Sequence, residues 1–568
     1  MSSNCQICSK LSSSYCSNCK KVVYCGKEHQ KQDRKRHKQE CYPASITTHP
    51  VLGNHLQATR EINAGEKIFK EEPLIVGPRS NFSHFHQICL GCCDKIKEGS
   101  TYSCSKCGWP VCDANCEQNM RHAKFECPIF ADKNVSPAAT QAEYLGVTFL
   151  RCILLQTLDP SRWDDLLKLE SHIELRNSRP ACVEQSQLAI HFVRDKCKMT
   201  QTDPRLIDRV YGIVIVNGYG DLSTFGVKLY SKSAKLSHAC IPNTRTILDS
   251  NGIEIVATVA IKAGQPLTQL YGRIFKGTHP RQELLQNIYY FSCSCTRCKD
   301  PSELGTYFSG VKCHAKKCGG HLLPKNPLDI SPASKWKCDS CNNSSTFARC
   351  VVPALGEISQ EAGTDENEGL YSEYELYEVG NPEIPVTGNL ELTTATKLDH
   401  VLKMLTVLKK LETGTVHRNH YALLPLKTAL IATIHSLLAL SVHDAKSFSF
   451  LQTLKDEDMV KYLLEEFLRL VKEMLQVVEI LLPGMTSERG LLLFYLAEGM
   501  RFSIHNTATG PNQSQLAKLQ EEASCNSFKI MLLDNEDDDH RKLVVKYLGH
   551  QNAPSLFDKS NKSSTASS

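Results

Sequence analysis

"KLSHACIPNTR", Lys235 to Arg245, sets a His, a Cys and a Pro-Asn pair into an otherwise apolar, strand-like region. A metal site, a nucleophile with its base, and a small-molecule pocket all use such residues. More than fifty positions downstream stands Cys293-x-Cys295-x2-Cys298, three cysteines that are one ligand short of a tetrahedron. A fourth ligand must come from elsewhere in the chain. A Cys240–His238 dyad is the weaker reading: adjacency in sequence does not make a dyad, and no orienting group is indicated.

The chain has 27 cysteines, and most fall in spaced pairs. The first cluster is Cys5-x2-Cys8, Cys16-x2-Cys19, Cys25-x3-His29 and His37-x3-Cys41. Four pairs serve two tetrahedral zinc ions and leave no position open for water, which marks a structural site. The design returns in Cys89-x2-Cys92, Cys104-x2-Cys107, Cys112-x3-Cys116 and His122-x4-Cys127, with Cys93 able to replace Cys92. Cys313-x4-Cys318 and Cys338-x2-Cys341 are complete by themselves and have the spacing of a small zinc ribbon. Cys93, Cys152, Cys182, Cys197, Cys350 and Cys525 are left over, and a buried apolar role is expected for them.

At 568 residues the chain exceeds one ordinary core, so several modules are expected. Apolar residues make up 41% and charged residues 22%, as in globular proteins. A net charge of +5 is small for this length and points to no polyanionic partner. No apolar run of about 18 residues is apparent; 429–442 is interrupted by His435 and is expected to be a buried helix, so no membrane span is expected. The N-terminus carries cysteines and lysines where a signal peptide would be apolar. A reducing intracellular compartment, cytoplasmic or nuclear, follows as the expectation, and there paired cysteines hold metal sooner than form disulfides.

Between the first two clusters, "LQATREINAGEKIFKEEPLIV" alternates about an Asn63-Ala64-Gly65 turn and is expected to be a hairpin. A similar phrase returns: "TREINAGEKI" at 59–68 against "TVAIKAGQPL" at 258–267. "ILDSNGIEIVATV" predicts a second hairpin with Asn251-Gly252 at its turn. Residues 140–195 have helical spacing. Acidic residues from Glu357 to Glu378 predict a solvated linker. Beyond it Leu398, Val401, Leu402, Leu405 and Leu408 share one helix face, and Leu463, Phe467, Leu470, Met474 and Val477 another, before Pro483-Gly484 stops the helix.

This order of zinc module, β-core, C-x-C-x2-C and helical C-terminus resembles the SET-and-MYND (SMYD) protein-lysine methyltransferases, most of all their arthropod, SmydA-like branch. The resemblance covers nearly the whole chain. It implies an α+β fold: a β-rich SET domain split by a MYND finger, an additional N-terminal finger, a post-SET zinc site, a ribbon and a TPR-like helical domain. The boundaries it implies are 1–45 for the N-terminal finger, 46–85 for the first SET segment and 86–130 for the second finger. Then follow a helical insertion at 131–204, the SET core at 205–277 and post-SET plus ribbon at 278–348. An acidic linker at 349–395, helices at 396–552 and a disordered tail at 553–568 complete the chain.

The family signature N-H-S-C-x-P-N corresponds to Ser237–Asn243. It implies that Cys240 completes the post-SET set of Cys293, Cys295 and Cys298, bringing the expected zinc to about six ions. It also implies Tyr271 as the catalytic tyrosine, Tyr289 and Phe291 as channel aromatics, and Gly53, Asn54, His55, Asn217, Ser237, His238, Tyr271 and Phe291 around S-adenosyl-L-methionine. His55 stands where the family has a second glycine, and Ser237 where it has an asparagine. The implied partner is a protein substrate with a target lysine, proline-rich peptides being a further expectation for the fingers. No direct nucleic-acid contact is indicated, and a monomer is expected. The competing reading is a non-catalytic zinc scaffold that recruits protein partners, for example in transcriptional repression.

Overall fold

The computed structural model describes residues 3–16, 22–41, 43–79, 86–97, 99–220, 225–249, 252–272, 275–361, 394–443, 457–506 and 512–534. Cys19, the Cys41 side chain, residues 362–393 of the expected linker and the expected tail 553–568 lie outside the described residues. The chain divides into two compact units. One takes Met1–His238, Asn243–Gln269 and Leu284–Phe291; the other takes Ala239–Pro242, Leu270–Glu283 and Ser292–Ser568.

The first unit is built on small sheets. Strand Ala44–His49 pairs antiparallel with Gly53–Ala58. Thr244–Asp249, Gly252–Ala257 and Lys67–Glu71 form a second sheet in that spatial order. Ile75–Pro78, Gly226–Leu229 and Tyr219–Gly220 form a third. The apolar faces of the first two close over Leu56, Ile62, Phe69, Ile255 and Leu267, whereas Ile75, Val76 and Leu229 of the third pack with the helices. A separate apolar cluster joins the second finger to the helices: Trp109 stacks on Phe130 with ring centres 4.5 Å apart, and Tyr144 meets Trp109 edge-on. Helices Gln141–Leu158, Pro160–Leu167, Ile173–Asn177 and Pro180–His191 occupy the helical stretch. The first begins at a capping box made by Thr140 and Glu143.

The hairpin expected about Asn63-Ala64-Gly65 does not form. The turn is there, with Gly65 at φ +78° and Glu66 N–H donating to Asn63 O, but its flanks pair elsewhere. Gly53–Ala58 takes Ala44–His49, and Lys67–Glu71 takes Gly252–Ala257. The competitor is the repeated phrase itself. Ile62 and Ile261 exchange both backbone hydrogen bonds, at 2.9 and 2.8 Å. Ala58 N–H donates to Gln265 O as Ala257 N–H donates to Glu66 O; Gly65 N–H donates to Ala257 O as Gly264 N–H donates to Ala58 O. The two phrases thus face each other across a local two-fold. Non-local pairing wins because it buries Ile62 and Ile261 together. In the second expected hairpin Asp249 pairs with Gly252, so Gly252 opens the strand instead of sitting in the turn.

The second unit starts with a four-stranded antiparallel ribbon, Val311–Lys312, His321–Pro324, Lys335–Cys338 and Ser344–Thr346. Helix Phe347–Glu361 follows, where a linker was expected from residue 349. Cys350, Val351, Ala354 and Ile358 fall on one face of it and are buried, which outweighs the exposed acids. Helices Thr394–Gly414, Leu424–His443, Glu457–Leu481, Ser487–Asn506 and Asn512–Asp534 share one apolar core with the ribbon. One 18-residue window, Tyr421–Leu438, does reach a mean hydropathy of 1.4 and would pass for a membrane span by length and composition, contrary to expectation. Its Leu424, Leu430, Ile431 and Ile434 are spent on that core, and its buried Lys427 pairs with Glu412 and Glu473 at 2.7 and 2.8 Å.

Candidate functional site

Among the described residues, five tetrads of Cys and His bring their donor atoms within 4.8 Å of one another. In the first finger Cys5, Cys8, Cys25 and His29 assemble, which is the first pair with the third. The companion set of Cys16, Cys19, His37 and Cys41 includes residues outside those described. In the second finger Cys89, Cys92, Cys112 and Cys116 form one tetrad, and Cys104, Cys107, His122 and Cys127 the other. Cys240 meets Cys293, Cys295 and Cys298, and Cys313 meets Cys318, Cys338 and Cys341. A Zn–S bond of about 2.3 Å puts the sulfurs of a tetrahedral site about 3.8 Å apart. The observed separations are 3.8 Å for Cys92–Cys112, 3.7 Å for Cys104–Cys127, 3.4 Å for Cys240–Cys298 and 3.7 Å for Cys313–Cys341. These donor sets fit zinc.

The backbone decides between Cys92 and Cys93. In the three described C-x2-C turns of the fingers the residue after the second cysteine takes a left-handed conformation and returns its N–H to the first cysteine's carbonyl. Ser9 (φ +54°), Gly108 (φ +74°) and Cys93 (φ +67°) all do this. Cys93 therefore closes the turn with its thiol buried away from the tetrad, and burial pushes that thiol up to about 11. Had the three turns been aligned in the sequence, the choice was available there.

His122 turns Nε2 to Cys107 and Nδ1 to Glu126, 2.7 Å away. A ring whose second nitrogen is held by a carboxylate is the usual arrangement of a metal-bound histidine. Glu126 in turn takes two hydrogen bonds from Arg151, whose other donors reach Val76 O and Leu90 O; Glu126, His122 and Arg151 are all fully buried. Burial works against the Glu126 carboxylate, and Arg151 and His122 more than offset it, holding it below the usual range. Nothing in the sequence spacing pointed to Glu126 or Arg151.

Around the motif of the opening, Ser237–His238 forms a short parallel ladder with Thr268–Gln269. Leu267 N–H donates to Leu56 O, and Ser237 N–H donates to Leu267 O, which sets Ser237 one strand away from the Gly53–Ala58 hairpin. Gly53, at φ +62°, has open space where a Cβ would stand. His55 is buried with its ring turned back on the hairpin, Nδ1 3.2 Å from Gly53 O and Nε2 3.2 Å from Thr47 Oγ1. Asn54 Oδ1 accepts from Thr48. Asn217 gives its amide donors to Glu170 O and Ile213 O. The His238 ring lies 5.8 Å from that of Phe291, and burial pushes the Tyr289 phenol up. These residues share the first unit, whereas Tyr271 falls in the second. Asn243, unremarked in the sequence beyond its place in the motif, ties the region: its amide donates to Pro266 O and accepts from Thr268 N–H and Oγ1.

Residues 5–41 match the MYND finger family model. Over 319 residues, 52% of the chain, it is 28% identical to SET domain-containing protein SmydA-8, isoform B, of Drosophila melanogaster, covering 66% of that protein. It is 26% identical over 272 residues, 45% of the chain, to N-lysine methyltransferase SMYD2-B of Xenopus laevis, and covers 61% of it. It is 24% identical over 263 residues, 44% of the chain, to histone-lysine N-methyltransferase SMYD3 of Mus musculus, and covers 59% of it. The chain covers less than two thirds of each relative's own length. Among solved structures, the SET domain of LSMT bound to lysine and AdoHcy aligns at 11% identity with a TM-score of 0.28, over 93% of this chain and 98% of that one, a score too low to carry weight. The first module is a MYND finger, and the chain is related to the SET-and-MYND proteins, SmydA-type proteins among them.

Proposed function

We propose that this chain is an S-adenosylmethionine-dependent protein-lysine N-methyltransferase of the SMYD type. In this reading the sheets of the first unit form a SET domain split by the second finger, and the C-terminal helices form a TPR-like domain. About six zinc ions fill the tetrads and the partly described site of the first finger. A monomer working in the cytoplasm or nucleus, with fingers open to proline-rich peptides, completes it.

The observation that carries the reading is the joining of Cys240 to the downstream thiols, which makes the polar motif before it part of a built site, in a chain related to N-lysine methyltransferases. Methyl transfer needs an uncharged amine, whose ordinary pKa is near ~10.4. It then needs alignment of amine, methyl and sulfur in a dry channel, largely a matter of positioning. Aromatic faces such as those of Tyr289 and Phe291 tolerate the ammonium before and after transfer. Gly53 leaves room for backbone approach, and Tyr271 is the hydroxyl we assign to orienting the reacting groups.

One observation favours the scaffold reading: the His55 ring and the Asn217 amide donors are committed to the protein's own groups. Calorimetric titration of the zinc-loaded chain with S-adenosylmethionine separates the two. Saturable one-to-one binding is expected; absence of heat at millimolar cofactor leaves only the scaffold.

A further inference from the structure

Beside the Cys240 tetrad sits a buried group of charges that methyl transfer does not use. Arg281, Arg297 and Glu303 are 3%, 0% and 1% exposed. Glu303 accepts from Arg281 Nη1 at 2.8 Å, Arg297 Nε at 3.0 Å, Thr278 N–H at 2.9 Å and Ser309 Oγ at 2.6 Å. One carboxylate balances one guanidinium. No second carboxylate pairs with either arginine among the described residues, and a buried charge without a counter-charge is costly.

One donor of each arginine reaches a residue of the tetrad, and Arg281 Nη2 also donates to Thr278 Oγ1 at 3.0 Å. Arg281 Nη2 lies 3.5 Å from Cys298 Sγ, and Arg297 Nη1 lies 3.3 Å from the Cys240 carbonyl. Both arginines also donate to Lys276 O. Four thiolates around a divalent ion carry two negative charges in excess. We propose that Arg281 and Arg297 are the counter-charge of a metal tetrathiolate at Cys240, Cys293, Cys295 and Cys298, with Glu303 setting how much of that charge reaches the sulfurs. The proposal rests on reading this tetrad as a zinc site and is independent of methyl transfer. Loaded, the whole group is left with one negative charge.

The charges give different outcomes for two variants that alter the same ion pair. Arg281→Met leaves the tetrathiolate under-compensated, whereas Glu303→Gln frees both arginines for it. The full zinc-loaded chain is incubated with excess chelator, and alkylation of Cys240, Cys293, Cys295 and Cys298 by iodoacetamide is followed by peptide mass spectrometry. The four cysteines of Arg281→Met are expected to become reactive about 10- to 100-fold faster than in wild type, the usual effect of removing an outer partner. Those of Glu303→Gln are expected to react no faster than wild type, with the Cys313 tetrad as internal reference. Equal acceleration in both variants means a mechanical brace and overturns the proposal. Should Arg281→Met fail to fold, Glu303→Gln against wild type decides alone, and faster reaction there overturns it. Immediate alkylation of all four in wild type, before chelator is added, sinks the zinc reading of the tetrad and this proposal with it.

Discussion

Cys240 and Cys152 are both fully buried, yet they answer to different physics. Cys240 lies 3.4 Å from Cys298 within a tetrad, whereas Cys152 sits in the apolar cluster of the first unit. Cys240→Ser is expected to lose one zinc per chain by elemental analysis and to lower the melting temperature of the second unit. Cys152→Ser is expected to keep every zinc and to cost only about 1–3 kcal/mol for a buried hydroxyl. Cys240 was legible because three downstream cysteines lacked a partner and the family signature supplied one. His55 was not, since its ring is folded onto Gly53 and Thr47 by side-chain choices that spacing does not encode. Cys93 was legible in principle: it occupies the turn-closing place that Ser9 and Gly108 hold elsewhere.

Between elements, a chain of buried contacts runs from the second finger through Glu126 and Arg151 to the Ile75–Pro78 strand. Arg151→Met leaves the Glu126 carboxylate buried without its main partner. A cost of about 3–5 kcal/mol is expected in chemical denaturation followed by Trp109 fluorescence. Arg151→Met combined with Glu126→Gln is expected to recover part of it, because no charge is then left unpaired. A second contact of this kind joins Leu424–His443 to Ser487–Asn506. Burial disfavours the Glu498 carboxylate, but His435 and Arg501 pull it down to about 2. A depressed carboxylate stabilises the fold above its unfolded pKa of about 4.5, and that contribution fades as pH falls from there toward 2. The melting-temperature difference between wild type and Glu498→Gln is therefore expected to be full at pH 6 and to shrink below about pH 4.5. Element boundaries were readable where apolar spacing was long, as in Glu457–Leu481. They failed at Phe347–Glu361, where a run of acids masked four buried positions on one face.

Across the whole molecule, metal and long-range pairing hold together what local sequence cannot. The two similar phrases were visible in the sequence, but that they pair with each other and not each into its own hairpin depends on contacts about 200 residues apart, such as Ile62 with Ile261. Local propensity cannot report that. Among the described residues, five tetrads have the donor sets and spacing of zinc sites. Structural zinc contributes on the order of 10–16 kcal/mol of apparent binding energy in small fingers. Prolonged chelation is accordingly expected to abolish the cooperative melt of the fingers and the ribbon while helical circular dichroism from Thr394–Gly414 onward largely persists. The central claim is methyl transfer, and the most direct measurement is passage of labelled methyl from S-adenosylmethionine to lysines on a protein array, wild type against Tyr271→Phe. Label on lysine is expected from wild type. Tyr271→Phe is expected to lower kcat and kcat/KM together by one or two orders of magnitude, about 1.4–2.7 kcal/mol, with cofactor affinity kept. No label on any substrate from a zinc-loaded, folded chain would contradict the account.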